Sequence, residues 1–381
     1  MKYYSLDMNT IQVQVDYSSF LTGNDSSEYY VVFSTKKPNL SIKQIKINLE
    51  VAIKQFSADF LQDKAILVWK RYFLSDPVNQ MPVLNIDIKD PHSYTGQPSL
   101  DKSKIVVLCY FVEGGESINK KNEIVHKRSN YVHYFYNNIH DTFSTGEYLQ
   151  SCNIFKQLHT SMHQENLTFL HDLIRTWIYI NDVDNRYMGM VKARNEIFEQ
   201  EGLCERTHFV ASTGIEGYFH NPKVFVHLDA YAIKGLQTQQ IKFLRASEFL
   251  SPTTKYGVAF ERGTAIEYGD RKHLYISGTA SIDKHGEIVH LMDILSQTKR
   301  TIQNISALLE EGGANIDTDL THLIIYLRDF TDYEIVKTFL EKTLPEIPKI
   351  YLKAAVCRPG WLIEIECSAI IENANTMYQP F

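Results

Sequence analysis

The sequence predicts an α+β protein of two domains, on the evidence of its length, its apolar content and a regular series of strand and helix patterns. The chain has 381 residues, of which 44% are hydrophobic, and this suffices for a large buried core and more than one domain. From residue 274 onward the patterns run strand, strand, helix, strand, helix, strand, strand. Strand–helix–strand units require crossover connections, with helices packed on a face of the sheet. We expect an N-terminal α/β domain over 1–235 and a C-terminal domain over 236–381, whose sheet carries two helices on one face.

The C-terminal elements are marked by clear patterns. Helix 293–311 has apolar residues at helical spacing and ends at the glycine pair 312–313, and helix 332–344 ends before Pro345. The predicted strands are 274–282, a short continuation at 287–290, 320–328, 349–356 and 362–371.

The N-terminal half alternates polar, turn-rich stretches with strand-like runs. We predict strands at 12–16, 29–34, 105–112 and 224–232, a helix at 41–56 and a largely helical stretch at 167–200. Residues 119–128 are mostly polar and charged, which favours a solvated loop, and 238–262 are predicted to be a connection.

Composition and charge exclude several classes of protein. With 22% charged residues and a formal net charge of −6, the chain lacks the basic surface of a protein that binds nucleic acid or anionic lipid. The longest apolar run, 105–112, is far shorter than the ~20 residues of a membrane helix, and the first residues show no signal-peptide pattern. Five cysteines without a CxxC pair indicate reduced thiols. We expect a cytoplasmic protein with no nucleic-acid or membrane partner.

The usual cofactor and metal motifs are missing from the sequence. There is no GxGxxG, no GxxxxGK[ST] loop, no GxSxG elbow and no HExxH. His159 and His163 would share one face of a helix, as a metal pair requires, but they lack the glutamate of the zinc-protease motif and a third ligand nearby. We therefore predict neither a cofactor nor a metal.

Several segments carry a family resemblance. Residues 276–282 read ISGTASI, 297–314 follow the pattern QT..TI.NI..LL...GA, 356–359 read VCRP, and 363–366 read IEIE. Upstream stand YG at 256–257, FER at 260–262 and, more loosely, IRTW at 174–177, ARNEIF at 193–198 and STGI at 212–215. These segments resemble the RidA/YjgF family, whose sheet is chorismate-mutase-like, and more specifically its two-domain relatives, the chorismatases. After ISGTASI the chain reads DKHG where the chorismatases carry a Gly-His pair, so this loop could line the pocket differently.

The resemblance implies a function and two catalytic positions. Chorismatases cleave the enolpyruvyl ether of chorismate without cofactor or metal. Glu364 matches their general acid. Cysteine at the position of Cys357 accompanies the subtype that forms 3-hydroxybenzoate and pyruvate, whereas a smaller residue there accompanies hydrolysis to a dihydroxy-cyclohexadiene acid.

The residues themselves are compatible with this chemistry. Glu364 and Glu366 lie two apart on the final strand and so point to the same face. A half-exposed strand explains that pattern equally well, and Glu366 is expected to be supporting or structural. Cleavage of an enol ether needs a positioned carboxylic acid in a partly dry pocket, together with cations that bind two carboxylates. The candidate anchors are Arg194 and Arg262, which stand in resembling segments, followed by Arg175 and Arg358.

A second set of candidates lies on the first strand of the ISGTASI segment. Gly278 would permit close approach of a ligand, and the hydroxyls of Ser277 and Thr279 could hold a ring oxygen. A β-bulge is the alternative explanation for the glycine.

Two other functions stay open. One is a RidA-type enamine/imine deaminase, although the strand that begins near Lys349 lacks the arginine expected there. The other is a non-catalytic protein that binds a small ligand. Related small-domain proteins trimerise and build sites between subunits. This chain could supply that interface internally, with 1–235 a diverged relative of its C-terminal domain. We therefore expect either a monomer or a homo-oligomer. The expected partner is a small-molecule substrate.

Overall fold

The computed structural model contains three six-stranded sheets, each built from its own segment of the chain. It describes residues 1–22, 26–37, 39–86 and 90–381, and the side chain of the motif residue Tyr256 lies outside the described part. We call the three segments the N-terminal unit (1–113), the middle unit (116–234) and the C-terminal unit (241–372). The predicted boundary at 235/236 falls between the second and third units, and the division into two domains remains a prediction.

The elements follow one another in the same order in each unit, apart from one additional short helix, α4, in the middle unit. The N-terminal unit comprises β1 (Lys2–Met8), β2 (Val13–Phe20), β3 (Glu28–Thr35), α1 (Ile42–Gln55), β4 (Ala65–Leu74), α2 (Pro77–Leu84), β5 (His92–Gly96) and β6 (Ile105–Glu113). The middle unit comprises β7 (Glu116–Lys120), β8 (Glu123–Arg128), β9 (Tyr131–His140), α3 (Glu147–Gln164), α4 (Phe169–Asp172), β10 (Leu173–Ile180), α5 (Val183–Gln200), β11 (Ala211–Glu216) and β12 (Val226–Lys234). The C-terminal unit comprises β13 (Ile241–Leu244), β14 (Gly263–Glu267), β15 (Arg271–Ala280), α6 (Ile294–Gly312), β16 (Leu320–Leu327), α7 (Tyr333–Thr343), β17 (Lys349–Lys353) and β18 (Ile363–Glu372).

The three sheets share one topology. Their strand orders are β1-β2-β3-β6-β4-β5, β7-β8-β9-β12-β10-β11 and β13-β14-β15-β18-β16-β17. In each sheet the last strand of the unit lies between the third and the fourth, and the fourth and fifth strands are parallel. A parallel pair needs a crossover, and α2, α5 and α7 provide it. The chain thus repeats one arrangement three times.

The C-terminal unit has the predicted series of elements. Helix α6 is capped at its start by Asp293, whose side chain accepts a hydrogen bond from the N–H of Ser296, and at its end by Gly313, whose φ of 89° suits glycine. Its apolar face packs with that of α7 against the sheet. The predicted strand at 287–290 is wrong, because only an isolated bridge between Ile282 and Ile288 forms there. The predicted connection contains β13, and it is followed by β14, which the sequence interpretation did not include.

The helical prediction for 167–200 is only partly right. Its centre is the strand β10, flanked by the short α4 and by α5. Almost every residue of β10 is buried, and a strand buried on both faces loses the alternation that distinguishes it from a buried helix.

The predicted loop at 119–128 is also different in the structure. Strands β7 and β8 form a hairpin there, with Asn122 at the turn in the left-handed region (φ 58°). Charged residues are common on the edge strands of sheets, where they oppose pairing with other chains, so polarity alone did not distinguish this edge from a loop.

The three units enclose a common core. Side chains from the inner faces of all three sheets meet in one apolar cluster, which includes Tyr30, Phe135, Ile174, Tyr231 and Ile266. Short bridges join neighbouring units: Gly96 with Tyr218, Ile215 with Val356, and Ser99 with Leu352. This packing creates an interface between each pair of units.

Candidate active site

A cavity of about 130 Å³ lies at the interface between the middle and C-terminal units. Helix α5 and strand β11 form one wall, and β15, β18 and the segment 356–361 form the other. Its lining residues are Asp184, Tyr187, Met188, Arg194, Ser212, Gly214, Val258, Phe260, Arg262, Gly278, Ala280, Ile282, Cys357, Arg358, Trp361 and Glu364. The site therefore depends on residues that are far apart in the sequence.

Glu364 lies on the central strand β18, which pairs with β15 and with β16. Its side chain lines the cavity and is only 5% exposed. Burial, reinforced by the negative charge of Glu366, raises its pKa to about 8, although Arg175 and Arg262 oppose the shift. A carboxyl group with such a pKa is mostly protonated at neutral pH, as a general acid must be.

Gly278 gives the Glu364 carboxyl group its room. A β-carbon at position 278 would lie 2.0 Å from Oε1 of Glu364, so any larger residue would displace the carboxyl group. The pairing of β15 with β18 is also irregular between Ile276 and Thr279, which places a β-bulge here. The β-bulge explanation of this glycine is thus present in the structure. The group that approaches the glycine closely is the carboxyl of Glu364, and close approach of a ligand stays a prediction.

The hydroxyl groups beside Gly278 do not line the cavity. Ser277 Oγ donates to the carbonyl of Glu261 (2.6 Å) and accepts from the N–H of Ser212 (2.9 Å). Thr279 Oγ1 donates to the carbonyl of Ser277 (2.9 Å). Both hydroxyls already have protein partners, so this geometry gives no support to their predicted role in holding a ring oxygen.

Glu366 is surrounded by donors. It accepts hydrogen bonds from Arg175 (2.7 Å), Trp177 (3.1 Å) and Tyr326 (3.1 Å), and a further short one from Thr213. Buried charges are tolerated where they are paired and hydrogen-bonded in this way. Glu366 joins the middle and C-terminal units behind the cavity and does not line it.

The four candidate arginines divide into two groups. Arg194, Arg262 and Arg358 line the cavity with Glu364. Arg175 does not, because its guanidinium group bonds to Glu366, to Thr213 Oγ1 (2.6 Å) and to Ser277 Oγ (3.2 Å). Arg175 is thus the buried ion-pair partner of Glu366, and this geometry gives no support to the prediction that it anchors a substrate carboxylate.

Cys357 lines the cavity on the segment that leads to β18. Burial, aided by the charge of Glu364, raises the pKa of its thiol to about 12, against the opposing effects of a hydrogen bond from Tyr187 and of nearby arginines. A thiol with this pKa stays neutral, whereas a nucleophilic cysteine needs a lowered one. Cys357 thus forms a small, uncharged wall beside the general-acid candidate.

Sequence reasoning missed the aromatic part of the site, Tyr187, Phe260 and Trp361. Tyr187 lies on α5 seven residues before Arg194, which is two helical turns and hence the same face. That spacing could have revealed it. Trp361 donates through Nε1 to the carbonyl of Ser281 (3.0 Å), a long-range contact that no local pattern encodes.

The histidine pair lies elsewhere. His159 and His163 share one face of α3, with ring centres 6.0 Å apart, and His159 Nε2 lies 3.4 Å from a carboxylate oxygen of Glu201. Within the described ranges, no group of three or more His, Cys, Asp or Glu side chains is arranged to hold a metal ion. None of the helices described is both long and apolar enough to span a membrane.

Comparisons with known proteins agree with this fold. The model of the family described as "Endoribonuclease L-PSP" matches residues 263–371. The chain is 31% identical over 94 residues to the 3-aminoacrylate deaminase RutC of Acinetobacter baylyi, which is 24% of this chain and 74% of that protein. It is also similar in fold to a crystal structure of a chorismatase, with a TM-score of 0.63 and 17% identity, over 80% of this chain and 92% of the other. Through its C-terminal unit, the chain belongs to the Endoribonuclease L-PSP family, the RidA/YjgF group.

Proposed function

We propose that the protein cleaves the enolpyruvyl ether of chorismate. The observation that carries the proposal is Glu364, a buried carboxyl group with a raised pKa in a cavity that three arginines also line. Chorismate carries two carboxylates and one acid-labile enol ether. Guanidinium groups bind carboxylates well, and a neutral carboxylic acid is the group needed to protonate the ether. The solved chorismatase with the same fold supports this choice of substrate.

In the proposed reaction Glu364 donates its proton to the terminal methylene carbon of the enolpyruvyl group. An oxocarbenium ion results, and the carboxylates of the substrate are held by Arg194, Arg262 and Arg358. If an internal group of the substrate captures this ion, chorismate rearranges to a hydroxybenzoate and pyruvate without net uptake of water. If water captures it, the products are pyruvate and a dihydroxy-cyclohexadiene acid.

Cys357 favours the first of these outcomes, with 3-hydroxybenzoate as the product. Its neutral thiol offers neither a charge nor a strong acceptor to hold a water molecule beside Glu364. The resemblance to the hydroxybenzoate-forming subtype points the same way. We infer that Cys357 limits access of water to the oxocarbenium ion, and that a smaller residue would admit it.

The test is incubation with chorismate, followed by measurement of pyruvate and chromatography of the ring product. We expect Glu364→Gln to lower pyruvate release by at least about 100-fold, because an amide cannot supply the proton. Glu372→Gln, the same change at an exposed position of the same strand, is the matched control and should leave turnover unchanged. Normal turnover by folded Glu364→Gln protein would refute the assignment of the acid.

A second candidate function follows from the sequence relative named as a 3-aminoacrylate deaminase. Arg358 lines the cavity and could bind the single carboxylate of an enamine acid, whereas β17 carries no arginine. Release of ammonia from 2-aminoacrylate, with no pyruvate released from chorismate, would favour this activity. The third function considered, ligand binding without catalysis, was expected for a pocket lacking arginines near Glu364, and this pocket has three.

A further inference from the structure

A second cavity lies beside the candidate active site and shares a wall with it. It has a volume of about 260 Å³, and both Phe260 and Arg262 line the two cavities. The guanidinium carbon of Arg262 lies 5.3 Å from the centre of the Phe260 ring, so the two side chains form one partition. Among the residues described, no other arginine lines both cavities.

The second cavity carries groups that suit a small carboxylate. Arg245 lines it with a side chain that is 58% exposed, and its Nη2 lies 3.5 Å from Oε1 of Glu261. The carboxylate of Glu261 also accepts a hydrogen bond from the N–H of Phe209 (3.0 Å), so its charge is already engaged. Glu205 lines the same cavity as an exposed residue. The guanidinium groups of Arg245 and Arg262 thus border this cavity. Among the described lining residues, the only buried carboxylate is that of Glu261, and it already has hydrogen-bond partners.

A buried hydroxyl group adds a second, independent observation. Ser251 lines this cavity and is 1% exposed, and its Oγ has no hydrogen-bond partner among the described residues. The carbonyl of the same residue accepts from Nη2 of Arg262 (3.0 Å). Because an unsatisfied buried hydroxyl is unfavourable, Ser251 is suited to donate to an anion that Arg262 also binds.

We propose that the second cavity is a chamber for a small 2-oxo carboxylate, through which pyruvate leaves the active site. This inference rests on the proposed cleavage of chorismate. The ether bond breaks in the first cavity, and no bond forms or breaks in the chamber. Arg262 holds the pyruvate carboxylate at the partition, Ser251 donates to it in the chamber, and Arg245 receives it at the exposed side. The ring product leaves by the side of the first cavity where Met188 is exposed.

Binding of ¹³C-labelled pyruvate tests the chamber directly, by broadening of its NMR signal. The measurement uses Glu364→Gln protein, which is expected to consume chorismate at least about 100-fold more slowly, with and without saturating chorismate. We expect pyruvate to bind in both conditions, because the two cavities are distinct. Adding Arg245→Gln should weaken pyruvate binding by about tenfold or more, as loss of a charged hydrogen-bond partner does. The same change at Arg206, an exposed arginine nearby that does not line the chamber, is the control.

Kinetics provide the second measurement. In otherwise unchanged protein, we expect pyruvate to inhibit chorismate turnover in a way that excess chorismate does not relieve. Arg245→Gln should raise the inhibition constant by about tenfold, and kcat/KM for chorismate should change less than about threefold because Arg245 does not line the first cavity.

Two results separate this inference from the proposed function. The chamber alone would be overturned if chorismate cleavage were normal and either of two binding results were found. In one, chorismate abolishes the binding of pyruvate. In the other, Arg245→Gln and Arg206→Gln affect that binding equally. Pyruvate binding that depends on Arg245, in a protein that releases no pyruvate from chorismate, would overturn the cleavage and its exit route and leave only a carboxylate site.

Discussion

Two interfaces in this chain are built on the same plan, yet only one of them contains the candidate active site. The interface between the middle and C-terminal units encloses the cavity of Glu364, and the interface between the N-terminal and middle units is its counterpart. Each has a buried arginine–carboxylate pair between units, Arg175 with Glu366 in one and Arg71 with Asp229 in the other. In both sheets the acid lies opposite a register shift in the neighbouring strand, which fixes the correspondence of residues.

The correspondence shows which side chains occupy the interface between the N-terminal and middle units. Glu364 stands two residues before Glu366, and His227 stands two residues before Asp229. His227 therefore corresponds to Glu364. The inter-unit bridges end at Tyr218 and Val356, so the next residues, Phe219 and Cys357, correspond as well. Phe219 is 3% exposed and packs among aromatic rings, with ring-centre distances of 5.0 Å to Tyr94, 4.3 Å to His140 and 5.1 Å to His227.

Small residues and a long helix account for the presence of the Glu364 cavity in one interface and the filled space in the other. Where the cavity exists, Cys357 and Gly278 leave space, and the 18-residue α5 extends far enough to contribute Arg194. In the counterpart a phenylalanine fills the space, Asn138 stands in place of the glycine, and α2 has only eight residues. A shared fold therefore does not make a site: a few side-chain volumes and one helix length do.

The largest effect is expected from transferring the phenylalanine to the other interface. Cys357→Phe should fill the cavity and lower kcat/KM for chorismate by at least about 1,000-fold, or about 4 kcal/mol. Cys357→Ala keeps the space and should retain pyruvate release while shifting the ring product toward the hydrolysis product. Turnover by Cys357→Phe within about tenfold of the unchanged protein would show that this position does not control the site.

The reverse change should affect stability and not activity. Phe219→Ala removes a buried ring and should lower the free energy of unfolding by about 3 kcal/mol, as large-to-small core substitutions do. Chorismate turnover should change less than about threefold, since Phe219 does not line the Glu364 cavity. Denaturant unfolding and initial rates measure the two effects. A gain of chorismate cleavage, or a large loss without destabilisation, would contradict the view that this interface is inactive packing.

The sequence predicted much of the C-terminal unit and less of the rest. Helix α6 has an N-cap, an apolar face and a terminal glycine, and such local signals are readable without a structure. Strand β10 was missed because it is buried on both faces. The three-fold repetition became visible only in the strand orders of the three sheets.

The site was predicted in part for a similar reason. Glu364, Cys357 and Arg194 were found through resembling segments, and the structure brings them to one cavity. Arg175, Ser277 and Thr279 lie outside the lining of that cavity, and their side chains are engaged in hydrogen bonds with other parts of the protein. Contacts between residues so far apart in the chain leave no local pattern, so these residues could be judged only in three dimensions.

The smallest expected effect concerns the pH dependence of stability, and it has opposite signs in the two interfaces. Burial raises the pKa of Glu364 to about 8 and lowers the pKa of His227 to about 3. The stability that neutral Glu364 contributes is fully present below its unfolded pKa of 4.5 and is lost as pH rises from there through about 8. For His227 the contribution is present above its unfolded pKa of 6.5 and is lost as pH falls through about 3.

Each loss can be measured as the difference in unfolding free energy between a variant and the unchanged protein. Glu364→Gln should gain relative stability, by about 2 kcal/mol, between pH 5 and pH 6.5, because an amide does not ionise. His227→Gln should gain relative stability by about 2 kcal/mol between pH 6.5 and roughly pH 4.8. Altered packing in a variant shifts this difference by the same amount at every pH. The test therefore uses only the slope of the difference in unfolding free energy against pH. If both differences were flat with pH, neither side chain would be held neutral by burial, and the proposed general-acid role of Glu364 would lose its physical basis.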